Sequence, residues 1–341
     1  MTARIEELGV ELSGGVELSG AVEPELHACQ VELISDVCED VGEAIAALRS
    51  LRRMVLATGA GLLGSGTHPA AAEGDAAITD KERYERIRFL LGDAAVTPVA
   101  GLHVHVGMPD ARTAIATFNG LREHLPLLQV LAANSPFRHG RDTGLASARE
   151  VSLRAWPRSG VPRALRDYED FRGLARLLTR AGGVEDYTWF WWKLRPHPRL
   201  GTVEVRALDV QASLRDTAAL VALVHCLARA AAQRRVQRPS PPELIEEGLF
   251  RAARFGVAAE LPDGEGKLHP AAAVLEAALE AAEPHAAELG CVEQLGWVGE
   301  LFAQGGGARR QRRVHEIAGM DALLRELIAV TADGGDAAIS R

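Results

Sequence analysis

Residues Gly101 to Gly107, GLHVHVG, constrain what this chain can fold into more than any other stretch. Successive side chains of an extended segment point to opposite faces, so His103 and His105 share one face while Leu102, Val104 and Val106 occupy the other. The valines suit a strand, and a glycine at each end allows a tight turn or the close approach of a backbone or ligand. The segment predicts an apolar strand from which two imidazoles project together. Two readings fit this pattern. One is a half-buried strand whose histidines are satisfied by hydrogen bonds. The other is a site floor, since neutral imidazole binds metals and titrates near neutrality.

The rest of the composition narrows the class. A chain of 341 residues, 47% hydrophobic and 25% charged, is that of a globular protein built as two average domains or one large catalytic one. A formal net charge of -8 gives no electrostatic footprint for nucleic acid, although Arg309, Arg310, Arg312 and Arg313 form a local patch suited to an anion. Cys29, Cys38, Cys226 and Cys291 are scattered without a CxxC, which predicts reduced thiols in a cytoplasm rather than a disulfide framework or zinc ribbon. The amino terminus lacks an apolar core, and the apolar run from Ala218 to Ala232 is interrupted by His225 and Arg229, so neither secretion nor a membrane span is expected.

Along the chain, GVELSGGVELSG at 9–20 repeats a six-residue unit too short for a stacked architecture. Cys29 to Ile34 has strand character, with Gln30, Glu32 and Ile34 on one face. A carboxylate at the centre of a strand is costly unless paired or bound to metal, so Glu32 is either an acidic site residue or part of an exposed face. Asp36 and Glu39 predict a capping box opening a helix through Val55, and Leu62 to His68 reads as a short strand. A helix over Thr79 to Leu91, the HxH strand and a helix through Ile115, Phe118 and Leu121 follow, then a polar loop to Gly144. Arg149, Arg154 and Arg158 crowd around Trp156, as a clamp for carboxylate or phosphate or as a solvated basic face. Thr188 to Arg195 and Gly201 to Ala207 look like neighbouring strands, and in the second Glu204 and Arg206 share a face. A long helix capped by Ser213 leads into a helical carboxyl-terminal section, with helices over 243–255, 271–282, 285–302 and 311–331. The expected organisation is an atypical segment at 1–23, one catalytic domain over 24–331 and a tail at 332–341.

CQVEL at Cys29 to Leu33, GLHVHVG, NSPFRHGRDTG at Asn134 to Gly144 and TVEVRALDV at Thr202 to Val210 together resemble the type 2 glutamate-cysteine ligases, or carboxylate-amine ligases. WPR at Trp156, WWKLRP at Trp191, FRAARFG at Phe250 and ARRQRRVHE at Ala308 extend the likeness from about Pro24 to Val330. The resemblance implies an α+β, glutamine-synthetase-like catalytic domain, a curved and largely antiparallel sheet backed by helices. It implies ATP- and magnesium-dependent joining of an amino-acid carboxylate, the glutamate side chain, to an amine, that of cysteine, through an acyl phosphate. Glu32 and Glu204 then resemble metal ligands, His103 a contact to metal or phosphate with His105 as its partner, and Arg206 a group facing the transferring phosphoryl. Arg149, Arg154, Arg251 and Arg254 are the further candidates for substrate carboxylate or ATP phosphate.

The family pattern also begins with a GxEEE strand, where this sequence has Glu11 and Glu17 in its GVELSG repeat without the acidic cluster. That departure supports an alternative, a catalytically impaired relative that binds nucleotide or amino acid as a subunit, and a sheet short of a strand favours a homodimer. A metal-dependent hydrolase built on the HxH would need further His and Asp ligands at later strand ends, which the helical second half does not offer.

Overall fold

The computed structural model describes residues 20–95, 97–233 and 236–333. Glu11 and Glu17 lie outside them. The first element, β1 (Gly20–Pro24), crosses the Pro24 boundary expected for the catalytic domain and pairs antiparallel with β2 (Val31–Ser35), setting Glu23 opposite Glu32. The helix that follows, α1 (Val41–Ala57), starts later than the Asp36 cap predicted. Asp40 is the cap, its carboxylate accepting Glu43 N at 2.9 Å, while Glu43 reaches back to Glu39 N at 2.8 Å. The box therefore sits one turn downstream, directly before the apolar stripe of Val41, Leu51 and Val55. After α2 (Glu82–Leu91) the HxH segment forms β3 (Gly101–Gly107). The stretch 62–68 is not a strand; it makes a single bridge, Thr67 to Val99.

Helix α3 (Ala111–Ala132) leads through the short hairpin β4 (Phe137–Arg138) and β5 (Arg141–Asp142) to α4 (Ala148–Leu153) and α5 (Tyr168–Gly182). Thr188 to Arg195, read as a strand, is instead a 3-10 turn at Tyr187–Trp189 followed by a short strand β6 (Leu194–His197). Asp186 causes this, its carboxylate accepting both Thr188 N (2.7 Å) and Thr188 Oγ1 (2.6 Å) and winding the backbone into a turn. A four-residue turn then opens β7 (Thr202–Asp209). Strands β3, β7 and β6 form one antiparallel sheet with β7 at its centre, whereas β1 and β2 form a separate pair. Among the described residues the sheet is thus two antiparallel pieces rather than one continuous surface.

The remaining elements are α6 (Leu214–Gln233), α7 (Pro242–Phe255), a hairpin of β8 (Glu260–Pro262) and β9 (Leu268–Pro270), α8 (Ala271–Ala286), α9 (Val292–Ala303) and α10 (Gly306–Asp333). Gly290, with φ 63°, breaks the single helix expected over 285–302 into α8 and α9. Glycines 306 and 307, expected to be a break, instead begin α10.

The period-2 pattern of β7 sorts the molecule into layers. Val203, Val205 and Ala207 are fully buried and join Val104, Val106 and Leu194 on the inner face, where α3 and α6 cover the sheet. Those two helices are buried on nearly all sides; α7, α8 and α9 pack behind them. A Cβ at Gly120 would lie 2.4 Å from Ala231 Cβ, so glycine is what lets α3 and α6 approach this closely. With the inner face committed to the core, the alternate residues of β3, β6 and β7 are left on the open outer face. No helix among the described residues is long and apolar enough to cross a membrane.

Candidate active site

The outer face is organised around Glu204 on the central strand, β7. Register places His105 of β3 opposite it on one side and Arg195 of β6 opposite it on the other. Arg195 donates from Nε to Glu204 Oε2 at 2.8 Å, Arg206 donates to Oε1, and His105 Nε2 stands 3.5 Å from Oε1. Glu204 is only 2% exposed. Burial alone would raise its carboxyl, but the Arg206 cation, the His105 hydrogen bond and Arg195 outweigh burial and hold it well below the ordinary carboxylate range.

The two histidines differ. His105 is exposed and fixed, its Nδ1 bonded to Thr202 Oγ1 at 2.9 Å and its ring set edge-on to His197 at 5.5 Å. His103 is half-buried and has no hydrogen-bond partner among the described residues. Burial first, then the Arg206 cation, push its imidazole well below the usual histidine range, so it is neutral with a nitrogen lone pair to offer. Glu32 enters from the neighbouring pair of strands. Its side chain is accessible, yet desolvation, with Glu25 adding repulsion, raises its carboxyl against the pull of Arg206; Glu204 raises it further. The structure therefore brings together Glu32, His103, His105, Glu204 and Arg206.

The four arginines named as nucleotide or carboxylate contacts do not join that group. Arg149 is 4% exposed, donates to the carbonyls of Ala207 (3.2 Å) and Arg206 (3.1 Å), and pairs with Asp209. Its guanidinium is consumed by the end of β7, a structural use that corrects its expected role as a phosphate contact. Arg251 is held by Glu247 and Glu260, and Arg254 donates to Gly144 O. Arg154 lies between Glu150 and Glu246, beside a cavity rather than on the sheet. Conversely, Arg195 and His197 belong to the site and were not singled out from the sequence. Counting pairs across the four-residue turn of WWKLRPHPRLGTVEVR would have set Arg195 opposite Glu204.

Magnesium is the ion that the chemistry of Glu32 suits, because it prefers oxygen donors; Glu204, expected as a second ligand, is buried with Oε2 taken by Arg195 and Oε1 by Arg206, so here it serves as their anchor. No three His, Cys, Asp or Glu side chains converge into an ion cage among the described residues. Magnesium commonly takes one or two protein carboxylates and completes its shell with water and substrate phosphates, so the accessible Glu32 fits as one carboxylate of such a shell. The raised Glu32 carboxyl, set among other carboxylates, marks a place where a cation would be favourable.

The family model described as glutamate-cysteine ligase family 2 matches residues 2–329. The chain belongs to that family. A Rubrobacter xylanophilus protein named as a candidate glutamate–cysteine ligase 2-1 is 40% identical over 308 residues, covering 88% of this chain and 82% of its own. A Gloeobacter violaceus protein named as a candidate glutamate–cysteine ligase 2 is 35% identical over 327 residues, covering 93% and 86%. In fold the chain is similar to a bifunctional glutathione synthetase from Pasteurella multocida, with a TM-score of 0.67 at 15% identity over 94% of this chain and 49% of that one. It is also similar to the Pup ligase PafA solved with ADP, with a TM-score of 0.52 at 11% identity, covering 97% and 72%.

In this family member the remaining motifs form a clasp behind the site. Asp209, the carboxylate of TVEVRALDV, is fully buried and accepts Asn134 N (2.9 Å), Ser135 Oγ (2.7 Å) and Ser147 Oγ (2.9 Å). Asn134 Oδ1 in turn accepts Gln311 Nε2 of ARRQRRVHE at 2.8 Å. Burial raises the Asp209 carboxyl, and Arg149 with these hydrogen bonds opposes that. Three motifs distant in sequence thus fix the end of β7, and with it the position of Arg206.

Proposed function

We propose that this protein is an ATP- and magnesium-dependent ligase that joins the side-chain carboxylate of glutamate to the amine of cysteine through an acyl phosphate. The observation that carries the reading is the charged outer face, Glu204 gripped by Arg195 and Arg206 with Glu32 and His103 beside it, in a member of glutamate-cysteine ligase family 2. Ligands named in the relatives' descriptions, an amino-acid pair and a nucleotide, support the same choice of substrates.

In the first step a carboxylate oxygen attacks the γ-phosphorus of ATP, the bond to the bridging oxygen breaks, and ADP leaves with that electron pair. In the second the amine attacks the acyl carbon, inorganic phosphate departs and the amine loses a proton, giving the amide. No enzyme group becomes covalently attached. Arg206, 18% exposed and anchored by Glu204, would offset the negative charge that develops on the transferring phosphoryl group. The Glu204 anchor matters because a guanidinium fixed in place does not have to reorganise during the reaction. Neutral His103 would accept or donate a hydrogen bond at the phosphate. His105, tied to Thr202 and Glu204, would act by positioning. Glu32 is the residue that would hold magnesium, which when bound supplies counter-charge to the ATP phosphates. The partners would be small molecules, and a reaction that consumes ATP fits a cytoplasmic enzyme.

The test is ADP release coupled to a chromogenic readout, with magnesium, ATP, glutamate and cysteine. Release that requires both amino acids supports the reading. Release independent of the amine, or none with any acid and amine pair, overturns it.

A further inference from the structure

Two cross-strand rows run over the outer face, and only the first, His105, Glu204 and Arg195, is used above. In the second, Lys193 stands opposite Arg206, with Arg206 N donating to Lys193 O at 2.8 Å one step beyond the Leu194 to Val205 pair. Residues directly opposite in an antiparallel pair project to the same face, so Lys193 rises beside Arg206. It is nevertheless only 2% exposed, and its ammonium donates to Glu150 Oε2 at 2.5 Å. Burial pushes the ammonium down in pKa, and the Glu150 carboxylate opposes that.

Lys193 lines a cavity of about 330 Å³ together with Arg154, Trp156, Arg158 and Glu246. The lining therefore holds more cations than anions, with Glu150 behind it. That carboxylate is incompletely used, since Glu150 Oε1 is buried without a hydrogen-bond partner and the Arg154 Nε nearest to it is 3.7 Å away. One wall is apolar. Trp156 packs edge-on against Trp191 at 5.2 Å, and Arg158 covers the Trp191 ring at 5.5 Å. A volume at the lower end of ligand pockets, a cationic end and an indole wall suit a molecule of amino-acid size with one carboxylate.

We infer that this cavity is the subsite for the α-carboxylate of an amino-acid substrate, recognised by Lys193 and Arg154, with Trp156 as the wall along which the rest of the molecule lies. The inference rests on the ligase reading and deepens it. A carboxylate seated there would place its molecule next to Arg206, where the phosphoryl group is transferred. Arg154 is the adaptable partner, being over a third exposed and paired with Glu246 at 3.2 Å, whereas Lys193 is fixed.

The experiment compares glutamate with its α-amide, and cysteine with cysteinamide, on the wild type, on Arg154→Gln, and on Lys193→Met combined with Glu150→Gln so that no buried carboxylate is stranded. A charge-assisted hydrogen bond at the carboxylate corresponds to discrimination of about tenfold or more in kcat/KM between acid and amide. The wild type should show this for one of the two substrates, which identifies the occupant as the acid or the amine. Arg154→Gln should collapse that ratio to within about twofold while the KM for ATP stays unchanged. An undiminished ratio in both variants overturns the subsite. If the wild type releases no ADP with any pair, the ligase reading has failed, and calorimetric titration of wild type and Arg154→Gln with glutamate and with cysteine decides the subsite alone. Binding lost in the variant supports it; equal binding, or none to the wild type, overturns it.

Discussion

Replacing Glu204 by Gln keeps the shape of the side chain and removes the charge that two arginines share. Truncating one partner of a buried ion pair costs about 3–5 kcal/mol, because the other charge is left uncompensated. Here the lower end applies. Arg195 retains the carbonyls of Thr188 (3.1 Å), Phe190 (3.2 Å) and Tyr187 (3.3 Å), and Arg206 is partly solvated. The expected loss is about 3 kcal/mol by denaturant unfolding, and Glu204→Gln with Arg195→Met should recover part of it. The sign with pH follows from the depressed carboxyl. A folded-state value below the ordinary 4.5 gives stability that is fully present above that value and is lost as pH falls through the lower one. The gap between wild type and variant should thus be flat from about pH 6 to about pH 8 and narrow only in stronger acid. A loss under about 1 kcal/mol, or a gap that closes within the neutral range, would refute the clamped Glu204.

Arg206→Met should lower ATP-dependent turnover by about 100-fold or more, and should also lower the unfolding midpoint, by less than Glu204→Gln does because Arg195 still pairs the carboxylate, measured by steady-state kinetics and denaturation. Arg149→Met should do the reverse in emphasis, with an unfolding loss of about 3 kcal/mol because it strands buried Asp209; an intact midpoint with weakened ATP binding would return Arg149 to the nucleotide. Asp209→Ala should be as destabilising as Arg149→Met, and the two together less than additive in a double-mutant cycle. In the native protein a thiol reagent should modify Cys29 and Cys38 and spare Cys226 and Cys291, which are buried with their sulfurs 3.5 Å apart. Reaction at Cys29, whose thiol burial raises, should quicken as pH increases.

Local patterning made the site strands legible before their setting was. The alternation in GLHVHVG and TVEVRALDV sorts His103, His105, Glu204 and Arg206 onto one face because a strand has period 2 and the other face carries valines. What alternation cannot supply is pairing. Arg195 became a site residue only through the register of β6 on β7, and Lys193 through the same register one step on. TWFWWK carries the aromatic content of a strand, yet Asp186 bends its start into a 3-10 turn and the tryptophans go to the core. The arginines could not be sorted from one another because a guanidinium serves carbonyls as readily as carboxylates or phosphates. Arg149 and Arg154 are five residues apart on one short helix and its cap; the first is consumed by the backbone of β7 while the second borders a cavity. The capping box was misplaced by one turn because Asp36 and Asp40 offer the same chemistry, and only Asp40 precedes a stripe that can be buried.

In the proposed reaction ATP activates a carboxylate for attack by an amine. The direct measurement uses glutamate labelled with oxygen-18 in its side-chain carboxylate, with ATP, magnesium and cysteine. Passage through an acyl phosphate leaves one labelled oxygen in the inorganic phosphate for each amide formed. Amide without label in the phosphate, or ADP release without amide, would contradict it.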